Sequence, residues 1–242
     1  MAQNVYDDPR FFEGYSKLPR SRLGLEGAPE WPALRGLLPP LRGLRVADLG
    51  CGFGWFSRWA GAQGAAQVVG IDLSENMLAR ARAETADDTV SYQRGDLQHL
   101  DLPQGAFDLA YSSLALHYVE DVRRLLAVVH QALAPGGRLV FSIEHPVYMA
   151  PARPGWLATD DGRKVWPLDG YQREGRRTTD WLAPGVVKYH RTLGTTLNTL
   201  IDLGFSIRRV VEWGPTDAQV AEAPALADER ERPTFVLISA DR

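Results

Sequence analysis

The groups in this chain that could bind or react are a glycine-rich turn, a few carboxylates and a few histidines. Asp48 is followed by Leu49-Gly50-Cys51-Gly52-Phe53-Gly54. Glycines at Gly50, Gly52 and Gly54 remove the Cβ atoms that hold a backbone away from a ligand. The dinucleotide fingerprint G-x-G-x-x-G does not fit, because Trp55 fills its third glycine position. A carboxylate at Asp48 repels a pyrophosphate and attracts a cation. Cys51, the only cysteine, sits inside the turn as a small buried filler and is not expected to act as a nucleophile. Proton removal near neutral pH is best served by histidine. His145 directly follows an apolar run and is the first choice for contact with a reacting molecule. His190, in Lys188-Tyr189-His190-Arg191, is the second, and Glu144 is an alternative base or binding carboxylate. His99 and His130 look incidental. No His/Cys cluster has zinc-ligand spacing, so no metal is expected.

Alternating strands and helices must position these groups. Arg45–Leu49 reads as a strand, and Phe56–Gln63 as its helix. Gln67–Ile71 is a second strand, and Ser74 caps a helix carrying Met77, Leu78 and Ala81 as an apolar stripe. Val90–Arg94 and Phe107–Ser112 are strands three and four. A helix over about 122–133 and a tight turn at Pro135-Gly136-Gly137 lead into a fifth strand, Arg138–Ile143. Such alternation predicts a parallel sheet with helices on both faces. Ligands of such sheets bind at the carboxyl edge, where the glycine turn lies.

The rhythm breaks at His145-Pro146. From there to about Tyr189 the chain is rich in Pro, Gly, Trp and charge, which reads as a lid or substrate-recognition insert. Trp156, Trp166, Tyr171 and Trp181 argue that it is ordered. Thr192–Leu203 is a helix stopped by Gly204, and Phe205–Val211 and Thr234–Ala240 are the last strands. Before Leu41, Phe11, Phe12 and Tyr15 have helical spacing, and Trp31-Pro32-Ala33-Leu34 opens a short helix that Pro39-Pro40 stops. The chain thus reads as one domain. It comprises an N-terminal cap (1–43), a ligand-binding core (44–145), an insert (146–191) and a C-terminal helix with two strands (192–242).

The 242 residues are 45% hydrophobic and 24% charged, with a net charge of −3. That is enough for one large core, and it gives no basic footprint for nucleic acid. The lone cysteine suits a reducing compartment. The first ten residues contain no signal core, and no apolar run approaches the roughly 20 residues that span a bilayer. A cytoplasmic protein without membrane or nucleic-acid partners is expected.

Val46-Ala47-Asp48-Leu49-Gly50-Cys51-Gly52-Phe53-Gly54 resembles the first motif of class I S-adenosylmethionine-dependent methyltransferases. Gly70-Ile71-Asp72-Leu73-Ser74 resembles their second acidic motif. Arg94-Gly95-Asp96-Leu97 falls where a third acid belongs, and Asp108 through Ser112 to His117 resembles the fourth motif and its continuation. The resemblance is strong over residues 44–144 and topological over 192–242.

It implies a three-layer αβα sandwich around a mostly parallel seven-stranded sheet whose last strand is antiparallel. It also implies S-adenosylmethionine as methyl donor and S-adenosylhomocysteine as product. The glycine turn and Asp48 would then face the amino-acid end, and Asp72 would accept the ribose hydroxyls. Asp96 would take the adenine amine, with Leu73 and Leu97 on the adenine faces. Ser112, His117 and Tyr15 complete the expected cofactor contacts. A small-molecule acceptor methylated at O, N or C is expected, on a monomer or homodimer. A non-catalytic S-adenosylmethionine-binding module and a nucleic-acid methyltransferase are the alternatives. Tyr111-Ser112-Ser113-Leu114 stands where DNA amino-methyltransferases carry an Asn/Asp-Pro-Pro-aromatic run, which weighs against the latter.

Overall fold

The computed structural model describes residues 3–242. Five strands carry the first half of the chain: β1 (Arg45–Leu49), β2 (Gln67–Asp72), β3 (Val90–Arg94), β4 (Phe107–Ser113) and β5 (Leu133–Glu144). The insert adds two hairpins, β6 (Leu157–Ala158) with β7 (Lys164–Val165) and β8 (Gly175–Thr179) with β9 (Val186–His190). β10 (Ser206–Trp213) and β11 (Phe235–Asp241) complete the main sheet, whose order is β10-β11-β5-β4-β1-β2-β3. Strands β1 to β5 pair in parallel, and β11 runs antiparallel to both β5 and β10. The sheet is the one the resemblance implied.

Helices α1 (Pro9–Ser16), α2 (Pro19–Arg22) and α3 (Trp31–Arg35) form the N-terminal cap. Next come α4 (Trp55–Ala62), α5 (Glu75–Ala83), α6 (Val122–Ala132), α7 (Pro146–Met149), α8 (Leu193–Asp202) and α9 (Asp217–Glu222). Strand side chains alternate between two cores. Val46, Val68, Leu109, Val140 and Leu237 point to the face covered by α3 and α4. Ala47, Ile71, Ala110, Leu139 and Ile238 point to the face covered by α6 and α8. Interior parallel strands are buried on both sides, so β1 reads as an almost continuous apolar run. The single acid in that run, Asp48, is the exception that needs a local reason.

β5 begins earlier than the sequence suggests. α6 stops at Ala132, and Leu133 already pairs with Phe107. The predicted turn survives as a bend inside the strand, with Gly136 at φ +76° and a register slip between Phe107 and Leu109.

Successive connections from β1 go one way to β2 and β3, and the other way from β4 to β5. The crevice between β1 and β4 is the switch point of the sheet. Leu114, immediately after β4, sits in the left-handed region at φ +54°. A leucine rarely adopts this conformation, and such strain concentrates at functional sites. Here it turns the chain so that Ser113, Leu114 and Ala115 all line the crevice.

Candidate active site

The glycine turn is pinned to β2: the amides of Gly50 and Cys51 both donate to the Ile71 carbonyl, at 2.7 and 3.0 Å. Its three glycines serve different needs. A Cβ on Gly50 would lie 2.3 Å from Ala115 Cβ, and one on Gly54 would lie 2.2 Å from the Tyr92 hydroxyl. Those two positions need glycine to pack against the protein itself. A Cβ on Gly52 would meet nothing within 4 Å and would project into the crevice. Of the three, only Gly52 leaves open space where a Cβ would stand, with Gly50 beside it in the cleft. Gly54 faces Tyr92 instead.

Asp72 ends β2 with both oxygens anchored: Oδ2 accepts from the Gly52 amide and Oδ1 from the Ser74 amide, each at 2.9 Å. Burial pushes its carboxyl above the usual range, and the backbone donors oppose that shift only in part. Asp72 itself lines the crevice. Asp48 accepts from the Ser57 hydroxyl at 2.6 Å. It is 2% exposed, and burial pushes it up to about 7, with the charge of Asp72 adding to the shift. Ser57, on α4, is the local reason an acid is tolerated in β1.

Three cavities, of about 210, 100 and 90 Å³, adjoin at the turn. All three reach Gly50, and neighbouring pairs share Gly52, Asp72, Tyr6 and Tyr15, so they are lobes of one cleft. The first lobe lies between Leu73, Asp96 and Leu97. The second is floored by Asp48, Cys51 and Phe53. The third and largest reaches His117, Glu144, Tyr148, Trp181, Thr234 and Phe235. A polar hollow of about 700 Å³ opens beside the first lobe, around His99, Arg124 and Tyr189. It holds none of the residues marked from sequence as binding or catalytic.

The cleft collects most of those marked residues. Asp48, Gly50, Cys51, Gly52, Asp72, Leu73, Asp96, Leu97, His117, Tyr15 and Glu144 all line it. Ser112 does not. Its hydroxyl is fully buried and donates to the Leu49 carbonyl at 2.7 Å, tying β4 to β1, and Ser113 takes its place at the surface of the cleft.

Neither proposed histidine base reaches the cleft. His145 caps α7, its Nδ1 accepting from the Val147 amide at 3.0 Å, so the proton is on Nε2, 2.8 Å from Glu212. His190 bonds the Tyr171 carbonyl through Nε2 at 2.8 Å, and the ring is fully buried. Burial lowers both imidazoles. His145 follows β5 at the edge of the main sheet and His190 ends β9 where the insert returns to the core, but local capping and the register of β9 turn their rings away. His145→Ala and His190→Ala should leave kcat within about twofold while lowering unfolding stability by about 1–2 kcal/mol. A large loss of turnover with normal stability in either variant would return that histidine to the chemistry.

Glu144 is at the third lobe and pairs there with Lys188. Lys188 was missed from sequence. Its signal was available, since Val186, Lys188 and His190 are the inward positions of an alternating strand and an inward lysine needs a partner. Burial raises the Glu144 carboxyl, and Lys188 pulls it back in part. The Lys188 ammonium lies 5.0 Å from the Trp181 ring and 5.8 Å from that of Tyr118. His117 accepts from the Glu144 amide through Nδ1 at 3.3 Å, and burial holds it neutral, well below its usual range. Its proton is therefore on Nε2, which makes it a hydrogen-bond donor and not a base.

The sheet order, the glycine turn and the Asp72 cleft together define a Rossmann-like methyltransferase. Residues 47–141 match a family model described as a methyltransferase domain. The chain is 64% identical to an S-adenosylmethionine-dependent methyltransferase from Mesorhizobium loti. That crystal structure matches with a TM-score of 0.88 over 90% of this chain and 100% of that one. A malonyl-[acyl-carrier protein] O-methyltransferase of Pectobacterium atrosepticum is 34% identical over 59% of this chain and 52% of its own length. A trans-aconitate 2-methyltransferase of Deinococcus radiodurans is 39% identical over 46% of this chain and 42% of its own. The chain thus spans about half, or less, of those two relatives. This chain belongs to the family of S-adenosylmethionine-dependent methyltransferases, and S-adenosylmethionine is its methyl donor.

Proposed function

We propose that this enzyme methylates a small-molecule acceptor held in the third lobe, among Glu144, Tyr148, Trp181 and Phe235. The observation that carries the reading is the continuity of that lobe with the Gly52–Asp72 site. S-adenosylmethionine supplies a methyl group on a positively charged sulfur, open to in-line displacement. Asp72 accepts the ribose hydroxyls, Asp96 the adenine amine, and Leu73 and Leu97 cover the ring. Asp48 attracts the ammonium of the amino-acid end. Arg20, on α2 at the junction of two lobes, suits the carboxylate of that end. Tyr6, Tyr15 and Trp181 wall the junction, and ring faces favour a nearby sulfonium. They also exclude water, so that alignment of the reactants contributes most of the acceleration.

The relatives' acceptors are acids, a malonyl group and trans-aconitate, but each relative matches only part of this chain. The acceptor is therefore argued from this cleft. We place the protein in the cytoplasm on its lone cysteine, which suits a reducing compartment, and expect a monomer or homodimer. Among the described residues no helix is long and apolar enough to cross a membrane. The deciding assay incubates the protein with methyl-labelled S-adenosylmethionine and a metabolite panel. Label should move to a small molecule; tight cofactor binding with no transfer to any acceptor would favour a binding module.

Cofactor affinity should depend on pH. Asp48 and Asp72 both have raised pKa values in the free protein, and both meet a cationic or hydroxyl-bearing ligand as carboxylates. Binding therefore releases protons, so affinity rises as pH increases through about 7 and levels off above it. Calorimetry in buffers of different ionisation enthalpy should show the release, and Asp48→Asn should flatten the dependence. Proton uptake on binding would contradict the assignment.

A further inference from the structure

We infer that the third lobe takes an uncharged acceptor still carrying its proton, a hydroxyl or a neutral amine, and turns carboxylates away. The inference rests on the reading of that lobe as the acceptor site.

The argument is one of charge and hydrogen-bond inventory. An acid acceptor needs a cation to meet it, since a buried anion without a partner is strongly disfavoured. Among the described residues, every cation around the lobe is already engaged. Lys188 pairs with Glu144. Arg20 pairs with Glu30 at 3.0 Å, Glu30 being 1% exposed, and its remaining N–H groups are those assigned above to the carboxylate of S-adenosylmethionine. Arg232, stacked behind Tyr148 at 4.6 Å from its ring, has its charge met by both oxygens of Glu229 at 3.0 and 3.1 Å and donates to the Thr234 hydroxyl at 3.0 Å, leaving only its buried Nε without a partner among the described residues. Arg191 donates to the Val119 and Glu120 carbonyls. His117, the other nitrogen base lining the lobe, is neutral by burial.

What faces the lobe is instead a carboxylate. Glu144 bonds Lys188 through Oε1, and among the described residues no protein donor meets Oε2. A carboxylate acceptor would place like charges against each other there. A hydroxyl or N–H acceptor donates to Oε2. As its lone pair forms the bond to the methyl carbon, the carbon–sulfur bond breaks with its electron pair left on the sulfur of S-adenosylhomocysteine, and the acceptor's proton passes to that oxygen. His117 Nε2–H and the Tyr148 hydroxyl remain to fix orientation, and Trp181 and Phe235 suit a flat body.

Two ligands of equal size and opposite character test this: benzyl alcohol and benzoate, titrated by calorimetry into protein saturated with S-adenosylhomocysteine. The S-adenosylhomocysteine titration comes first, and its failure would indict the cofactor site alone, independently of the lobe. Wild type should bind benzyl alcohol at least about tenfold more tightly than benzoate, a difference of about 1.4 kcal/mol. Glu144→Gln leaves Lys188 without its counter-charge, and should reverse the preference by improving benzoate about tenfold or more. Benzoate binding as tightly as the alcohol in wild type, or an unchanged preference in Glu144→Gln, overturns the inference. If that variant folds poorly, Glu144→Gln/Lys188→Met removes both charges together and still leaves benzoate no cation to meet it, so the preference for the alcohol should persist; benzoate binding as tightly as the alcohol there again overturns the inference.

Discussion

Asp72→Ala should raise the dissociation constant for S-adenosylhomocysteine by about a hundredfold or more. Each ribose hydroxyl donating to a carboxylate contributes about 1.5–3 kcal/mol, so losing two costs about 3–6 kcal/mol. A hundredfold is about 2.8 kcal/mol, which leaves room for partial replacement by water. The substitution also strips the Gly52 and Ser74 amides of their acceptor, loosening the turn that approaches the ligand. Asp72→Asn separates the two effects. It retains one oxygen for a backbone amide and loses the charge, so it should fall between wild type and the alanine variant in affinity while unfolding near the wild-type temperature. Calorimetry on both variants checks this. Near-normal affinity in Asp72→Ala would mean that the ribose lies elsewhere in the cleft.

What the sequence made legible follows from the range of the interactions involved. Asp48, the glycine turn, Asp72 and Asp96 lie at strand ends in a regular alternation, and the strand-turn-helix geometry fixes their side chains within a few residues of chain. The structure brings Asp48, Gly50, Gly52, Asp72 and Asp96 to one cleft, with Gly54 facing Tyr92 instead. Ser112 and Ser113 show the limit of such reasoning. A one-residue shift along β4 exchanges a hydroxyl on the cleft for one spent on the Leu49 carbonyl, because neighbouring strand positions face opposite ways. The histidines show another. The sequence places His145 at the sheet edge, but Pro146 opens a helix there, and His145 serves as its cap. Lys188, Trp181 and Arg20 come from the insert and the N-terminal cap. Their meeting depends on the register of β8 with β9 and on α2 docking at the turn, long-range facts with no local signature.

The other large effect falls on the acceptor side. Glu144→Gln should lower kcat by about 10²–10⁴, the range a positioned general base contributes, while S-adenosylhomocysteine affinity stays close to normal. The amide keeps the shape of the side chain and an oxygen for Lys188, but it cannot take a proton. Deleting the partner of a buried ammonium outright costs about 3–5 kcal/mol; the amide removes the counter-charge but still accepts a hydrogen bond from Lys188, so it is the gentler replacement and alanine is not. The pH profile separates a base from a structural strut. A base must be ionised, so wild-type kcat should climb with pH through the pKa of Glu144, which burial has raised above the ordinary glutamate value. Lys188→Met removes the cation that opposes that rise and should move the climb to higher pH. Lys188→Arg should largely restore it. In Glu144→Gln the climb should be absent and the residual rate flat across the same range. A profile identical in wild type and Lys188→Met, with kcat untouched by Glu144→Gln, would make the pair a structural tie between β5 and β9. The acceptor would then have to lose its proton directly to water.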